Sequence, residues 1–257
     1  MSVRPAPIVM VHGAFCGGWT FDALRTPFEA AGHTVICPDL RGHGADAPAS
    51  AVGGLSMLDY ASDIADLCKS QDQPPILVGH SMGGLVAQLA AARSELRALV
   101  LLAPSGPWGV AGSSMEEAVT ALGVAMVGPF WNHAVTPDRA LMRNFSLDRV
   151  PRPQRSAMLD RLSRESGRAV WETLNWWADP FMTTRLPPGP LPAPSLAMVG
   201  ERDVVHPPAT VRQTAERIGA EFRLMPGMSH WLPGEPGWED VADGITEWLS
   251  RAVRAAA

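Results

Sequence analysis

Three residues in this chain are equipped for covalent catalysis and follow one another in a suggestive order. Ser81 lies in Gly79-His80-Ser81-Met82-Gly83, Asp203 in Gly200-Glu201-Arg202-Asp203, and His230 in Pro226-Gly227-Met228-Ser229-His230-Trp231. A serine hydroxyl is a weak nucleophile at neutral pH. It needs a base within hydrogen-bond reach, the base needs an acid to orient it, and the attacked carbonyl oxygen needs two donors. The chemistry such a set performs is acyl transfer, with Ser81 attacking, His230 shuttling the proton and Asp203 holding the imidazole. Since only neutral imidazole is a base, activity is expected to rise with pH.

The rival residues are placed less well. His33 opens a strand pattern, His43 sits in a turn, and His133 falls in a helical stretch without sheet rhythm. His80 flanks the serine and is expected to point away from it, while His206 is too near Asp203 to span to Ser81. Glu201 is the alternative acid. No acid follows the apolar run ending at Leu102, where Ala103-Pro104-Ser105 stands instead.

These side chains need elements to carry them. Pro75-Ile76-Leu77-Val78 reads as a buried strand and Leu85 to Ala92 as a helix, so Ser81 stands at a strand–turn–helix corner, the context of a nucleophile elbow. So sharp a turn strains the serine backbone and leaves no room for side chains at Gly79 and Gly83. Apolar runs at Ile8–Val11, Thr34–Cys37, Ala98–Leu102, Ser195–Val199 and Glu221–Met225 supply further strands. Helical patterns run over Gly17–Ala31, Ser56–Ser70, Pro207–Ile218 and Glu239–Val253. Alternation of this kind predicts βαβ units and a parallel sheet covered on both faces. The rhythm fails between Trp108 and Pro188, where helical patterns at Ser114–Val127 and Pro153–Trp177 appear without a clean strand. Five of the nine tryptophans (Trp108, Trp131, Trp171, Trp176 and Trp177) lie there. The expected organisation is a core in two parts, residues 1–106 and 191–257, interrupted by a helical cap at 107–190. In open parallel sheets ligands bind at the carboxyl ends of the strands, so the cap is expected to complete a pocket there. Trp108, Trp131 and Trp231 are candidates for its apolar wall.

Composition excludes several classes. At 257 residues and 46% hydrophobic the chain has the makings of a substantial core, and its net charge of -5 comes without a Lys/Arg stripe for nucleic acid. No apolar run reaches the roughly 20 residues of a membrane span. Cys16, Cys37 and Cys68 are widely spaced and odd in number, which fits no disulfide framework or metal motif. With an N-terminus, Met1 to Pro5, that lacks a signal-peptide core, they lead us to expect a reducing cytoplasm. No cofactor is implied, and nothing in the sequence assigns an oligomeric state.

The order Ser81, Asp203, His230, with the loops His12-Gly13-Ala14-Phe15 and Pro38-Asp39-Leu40-Arg41-Gly42-His43-Gly44, resembles the α/β-hydrolase fold superfamily over nearly the whole chain. The resemblance implies that the backbone amides of Ala14 and Met82 form the oxyanion hole, with Phe15, Cys16 and Trp19 lining the pocket beside that loop. It departs from the family in lacking an N-terminal hairpin, so about six strands are expected rather than eight. Haloalkane dehalogenases and epoxide hydrolases carry Asp at the elbow, which Ser81 argues against. His12-Gly13-Ala14-Phe15-Cys16-Gly17-Gly18-Trp19 is similar to the oxyanion loop of the plant hydroxynitrile lyase and methylesterase group. Lyases of that group have Thr before the oxyanion residue and Lys after the catalytic His, where this chain has Gly13 and Trp231. A serine esterase acting on a small-molecule ester is therefore the expectation. The alternatives are lyase-like, perhydrolase-like or haloperoxidase-like chemistry on the same triad, and a ligand-binding receptor on a hydrolase scaffold.

Overall fold

Four of the apolar runs are too uniformly hydrophobic for a strand with one wet face, and each is buried along its whole length. A computed structural model, which describes residues 5–44, 48, 51–113 and 132–255, arranges them in one sheet. Its strands are β1 (Ile8–Val11), β2 (Val35–Ile36), β3 (Ile76–His80), β4 (Ala98–Leu102), β7 (Ser195–Gly200) and β8 (Glu221–Met225). Their order is β2-β1-β3-β4-β7-β8, and every neighbouring pair is parallel. This is the expected α/β fold, with six strands.

Alternate residues of each strand feed two different cores, as the two-residue strand period requires. Val9, Val11, Leu77, Leu99, Leu101, Ala197 and Val199 pack against α2 (Met57–Lys69), α3 (Met82–Ala91) and α7 (Pro208–Ile218). Ile8, Met10, Ile76, Val78, Val100, Leu196 and Met198 face the other way, onto α1 (Arg25–Ala30) and α8 (Trp238–Ala255). Ser56 caps α2 in a reciprocal box with Asp59, satisfying two helix-end donors at once.

Two helical expectations need correction. The stretch Gly17–Ala31 is split into a 3-10 turn at Gly18–Phe21 and α1. Pro27 has no N–H to donate back to Ala23, so one continuous helix cannot run through it. Between β4 and β7, the stretch Pro153–Trp177 divides into α5 (Arg152–Asp160), strand β6 (Glu165–Ser166), α6 (Gly167–Leu174) and a 3-10 turn at Trp176–Ala178. β6 pairs antiparallel with β5 (Ala134–Val135), so this region contains a small strand pair where none was expected. One further turn of helix, α4 (Arg139–Leu141), precedes them, and the expected helix at Ser114–Val127 lies outside the described residues. A small cluster of Cys16, Leu147, Val150, Leu159 and Trp231 joins the segment between β4 and β7, an insert in the order of the main sheet, to the loops after β1 and β8.

Candidate active site

β3 ends at His80, and the chain reverses into α3 through Ser81, whose backbone takes φ 55° and ψ -124°. That conformation is costly for a residue with a side chain and is held by its surroundings. The Ser81 amide donates to the Leu102 carbonyl, and the Ser81 carbonyl accepts from Gly84 and Ser105. A Cβ on Gly79 would come within 2.7 Å of the Ala87 Cβ, and one on Gly83 within 2.8 Å of the His12 carbonyl carbon. The two glycines thus let α3 close onto the ends of β3 and β1. A Cβ on Gly13 would lie 3.0 Å from that of Ser81, so the loop after β1 also passes directly over the elbow.

His230 Nε2 lies 3.1 Å from Ser81 Oγ, and its Nδ1 lies 2.9 Å from Asp203 Oδ2. The other oxygen, Asp203 Oδ1, accepts from the amides of Val205 and His206 at 2.8 and 2.9 Å. Burial pushes the Asp203 carboxyl up, but the charge and hydrogen bond of His230 outweigh it and hold the group below the ordinary range. β7 and the loop after β8 must approach closely for this contact. Gly200 permits it, since a Cβ there would strike the Ser229 and Met228 carbonyls.

Three further histidines surround the relay. His206 Nε2 is 3.0 Å from Ser105 Oγ, and His80 donates from Nε2 to the His230 carbonyl at 3.0 Å. Burial, followed by repulsion from His230, lowers His206 to about 4 and His80 to about 3, so both are neutral. His12 accepts from the Leu40 amide on Nε2, which leaves Nδ1–H to donate to the Gly13 carbonyl at 2.9 Å. That carbonyl belongs to the same peptide as the Ala14 amide. Burial and the nearby His43 lower His12 to about 4, consistent with this neutral tautomer.

The Ala14 amide has no hydrogen-bond partner among the described residues, and Met82 presents one of the unpaired first-turn amides of α3. Both residues line a cavity of about 200 Å³ together with Ser81, His230, Phe15, Cys16 and Trp231. Met142, Val170 and Leu174 of the insert also line it.

Trp19 and Trp108 were expected at this wall and are elsewhere. Trp19 stacks on Trp231 from behind, ring centres 5.8 Å apart, with the Arg161 guanidinium over its ring. Trp108 turns to Trp176, 5.5 Å away, and donates its amide to the Thr184 carbonyl. In each case a second aromatic ring offers more contact than the small cavity does. Trp131 lies outside the described residues. Cys16 is buried, which raises its thiol to about 12 and makes it a wall atom, not a nucleophile. Sequence reading gave no role to His12 or Ser105. Of these only His12 carried a signal, its position in the His-Gly loop.

Residues 8–243 match the α/β-hydrolase family along nearly the whole chain. The chain belongs to the α/β-hydrolase family. This α/β hydrolase is 40% identical over 111 residues to salicylic acid-binding protein 2 of Nicotiana tabacum, an alignment covering 41% of this chain and 42% of that one. The chain thus spans about two-fifths of the length of the curated relatives it matches first. Over the whole fold it superposes on a methylesterase from Arabidopsis with a TM-score of 0.74 at 19% identity, covering 96% of this chain and 99% of that one. An esterase from Thermogutta terrifontis aligns with a TM-score of 0.69 at 25% identity, over 97% and 91% of the two chains. Among the described residues of the hydrolase, no group of three His, Cys, Asp or Glu side chains is arranged for a metal, and no helix is long and apolar enough to cross a membrane.

Proposed function

We propose that this α/β hydrolase cleaves small carboxylic esters through an acyl-enzyme on Ser81. The observation that carries the reading is the unbroken line Ser81–His230–Asp203, at 3.1 and 2.9 Å, opening onto a cavity shared with the Ala14 and Met82 amides. In this reading His230 takes the Ser81 proton as Oγ attacks the ester carbonyl, and Asp203 stabilises the imidazolium that forms. Ala14 and Met82 donate to the tetrahedral oxyanion, the latter with the positive end of α3 behind it. His230 then protonates the departing alcohol and activates water to release the acid. The methylesterase and esterase among its structural relatives support ester bonds as the target.

The segment 107–190 acts here as a cap that sizes the site. A cavity of about 200 Å³ suits a compact ester better than a long acyl chain, because pockets for drug-sized ligands run from about 300 Å³ upward. A reducing, cytoplasmic setting belongs to the same reading and is supported by Cys16, Cys37 and Cys68 all being free thiols.

The test is hydrolysis of p-nitrophenyl acetate and butyrate by the wild type and Ser81→Ala. Loss of turnover by about 10³-fold or more in the variant is expected, since nothing else in the site can form the acyl-enzyme. Equal rates for the two proteins would overturn the reading.

A further inference from the structure

The residue after Ala14 is held by the insert, not by the sheet domain. Phe15 donates its amide to Glu165 Oε2 at 3.3 Å, and its carbonyl accepts from the Ser163 amide at 2.9 Å. Ser163 also donates from its hydroxyl to the Cys16 carbonyl at 3.3 Å. Phe15 itself sits at φ 65°, a conformation that a residue with a side chain keeps only under restraint. The peptide before Ala14 is fixed from the opposite side by His12 on the Gly13 carbonyl. Ala14 is therefore clamped through both of its flanking peptides, one by the core and one by the insert.

Glu165 is fully buried and all of its acceptor capacity is engaged. Oε2 takes the Phe15 amide and His43 Nε2 at 2.9 Å, while Oε1 takes the Tyr60 hydroxyl and the Ser166 amide, both at 2.8 Å. These donors come from four separate places: the loop after β1, the loop after β2, helix α2, and β6 itself. A carboxylate buried merely to anchor an insert would need no donor from the loop over the nucleophile. A neutral or apolar side chain would also anchor it without the cost of desolvating a charge.

We propose that Glu165 is a positioning residue for the oxyanion donor, reaching from the insert to set the Ala14 peptide through Phe15. The inference rests on the ester-hydrolase reading and on Ala14 as a donor within it. His43 completes the arrangement as the counter-charge. Burial pushes its imidazole down, but the hydrogen bond and charge of Glu165 outweigh that and raise it above the ordinary value. Its Nδ1 lies 3.3 Å from the Arg41 carbonyl, so both ring nitrogens face acceptors, as a protonated imidazole requires. The consequence is that the donor geometry at Ser81 depends on the insert being docked. A Phe15 amide released from Glu165 lets its peptide rotate and carries Ala14 with it.

The experiment compares wild type, Glu165→Gln and Ser81→Ala on p-nitrophenyl butyrate, with active sites counted by the p-nitrophenol burst from diethyl p-nitrophenyl phosphate. Glu165→Gln keeps the shape but turns one acceptor oxygen, which takes two of the four hydrogen bonds, into an amide donor facing donors. The expected result is a fall of about tenfold in kcat per counted site with KM within about twofold. That is less than the roughly 10²–10³-fold cost of deleting a donor outright, because Ala14 stays present and is only misaligned. Inhibition by butylboronic acid, whose adduct with a serine is tetrahedral, should weaken in the same proportion. Unchanged kcat per site and unchanged boronate affinity, with only a lower melting temperature, would overturn the proposal and make Glu165 an anchor alone. Should Glu165→Gln not fold, Tyr60→Phe removes one of the four hydrogen bonds at constant shape and is read the same way. A smaller fall in kcat per site with matching loss of boronate affinity supports the proposal, and no change overturns it. Ser81→Ala separates the two levels of inference. If it turns over like wild type, the ester-hydrolase reading fails; if it is inactive while Glu165→Gln matches wild type, only the positioning role of Glu165 fails.

Discussion

His80 donates from Nε2 to the backbone carbonyl of His230, 3.0 Å away, so the residue before the proposed nucleophile holds the loop that carries the proposed base. The two rings lie 5.0 Å apart, and His80 is neutral because burial and the neighbouring His230 lower it to about 3. The separation of Ser81 and His230 is thereby set by one rigid side chain and not by the sheet alone. Replacing His80 by Phe keeps the ring and removes that donor, leaving the His230 carbonyl with the Leu232 amide alone and the loop without its tie to β3. We expect kcat on p-nitrophenyl butyrate to fall by about tenfold or somewhat less with little change in KM, since one hydrogen bond holding the loop is worth on the order of 1 kcal/mol. Steady-state kinetics at one pH check it, and an unchanged kcat contradicts it.

Gly200→Ala should separate the proposed acid, Asp203, from the proposed base, His230. A methyl group there meets the Met228 carbonyl at 2.6 Å and presses still harder on the Ser229 carbonyl, both backbone atoms of the His230 loop. Backbone cannot yield as a flexible side-chain tip does, so the loop must shift outward from β7. Overpacking of this kind costs about 1–3 kcal/mol. Urea unfolding should register that loss, and activity should drop more than stability does. Native-like activity in the variant would mean that the loop relaxes without moving His230.

Glu235 makes stability depend on pH. It is fully buried, its Oε1 accepts from the Ser229 amide, and its Oε2 has no partner among the described residues. Burial raises its carboxyl from 4.5 to about 7, against a smaller opposing effect of the Ser229 amide. A group raised on folding contributes stability that is whole below its unfolded value and is lost as pH climbs through the folded one. The wild type should therefore lose about 2–3 kcal/mol relative to Glu235→Gln between pH 4.5 and 8. Urea midpoints for the two proteins at pH 5 and pH 8.5 measure it, and parallel pH dependences would refute it.

Chain-length preference should follow the insert. Met142 and Leu174 line the cavity from the insert, so Leu174→Ala enlarges the space available to an acyl chain. Each methylene accommodated in an apolar pocket is worth on the order of 1–3 kcal/mol. The ratio of kcat/KM for p-nitrophenyl hexanoate to that for butyrate should rise about fivefold or more in the variant. A ratio that stays at the wild-type value would place the acyl chain elsewhere in the cavity.

What the sequence alone determined is local or ordinal. Short, uniformly apolar runs bounded by turn residues, such as Ala98–Leu102, read as strands wet on neither face, and Gly79 and Gly83 are needed wherever a serine turns that tightly between strand and helix. Chain order likewise placed Asp203 and His230 past successive strands, and parallel strands put their carboxyl ends on one side. Tertiary structure decided which side chains meet across 100 residues or more. Glu165 lies 150 positions from Phe15, and His80 lies 150 from the carbonyl it holds. Neither pairing leaves a periodic trace, because it depends on how the insert and the last loop dock through many weak contacts. The same docking drew Trp19 to Trp231 and Trp108 to Trp176, away from the cavity that their composition suggested. Short-range sterics and hydrophobic period are written residue by residue, whereas the partner of a buried polar group is chosen only when the whole fold has closed around it.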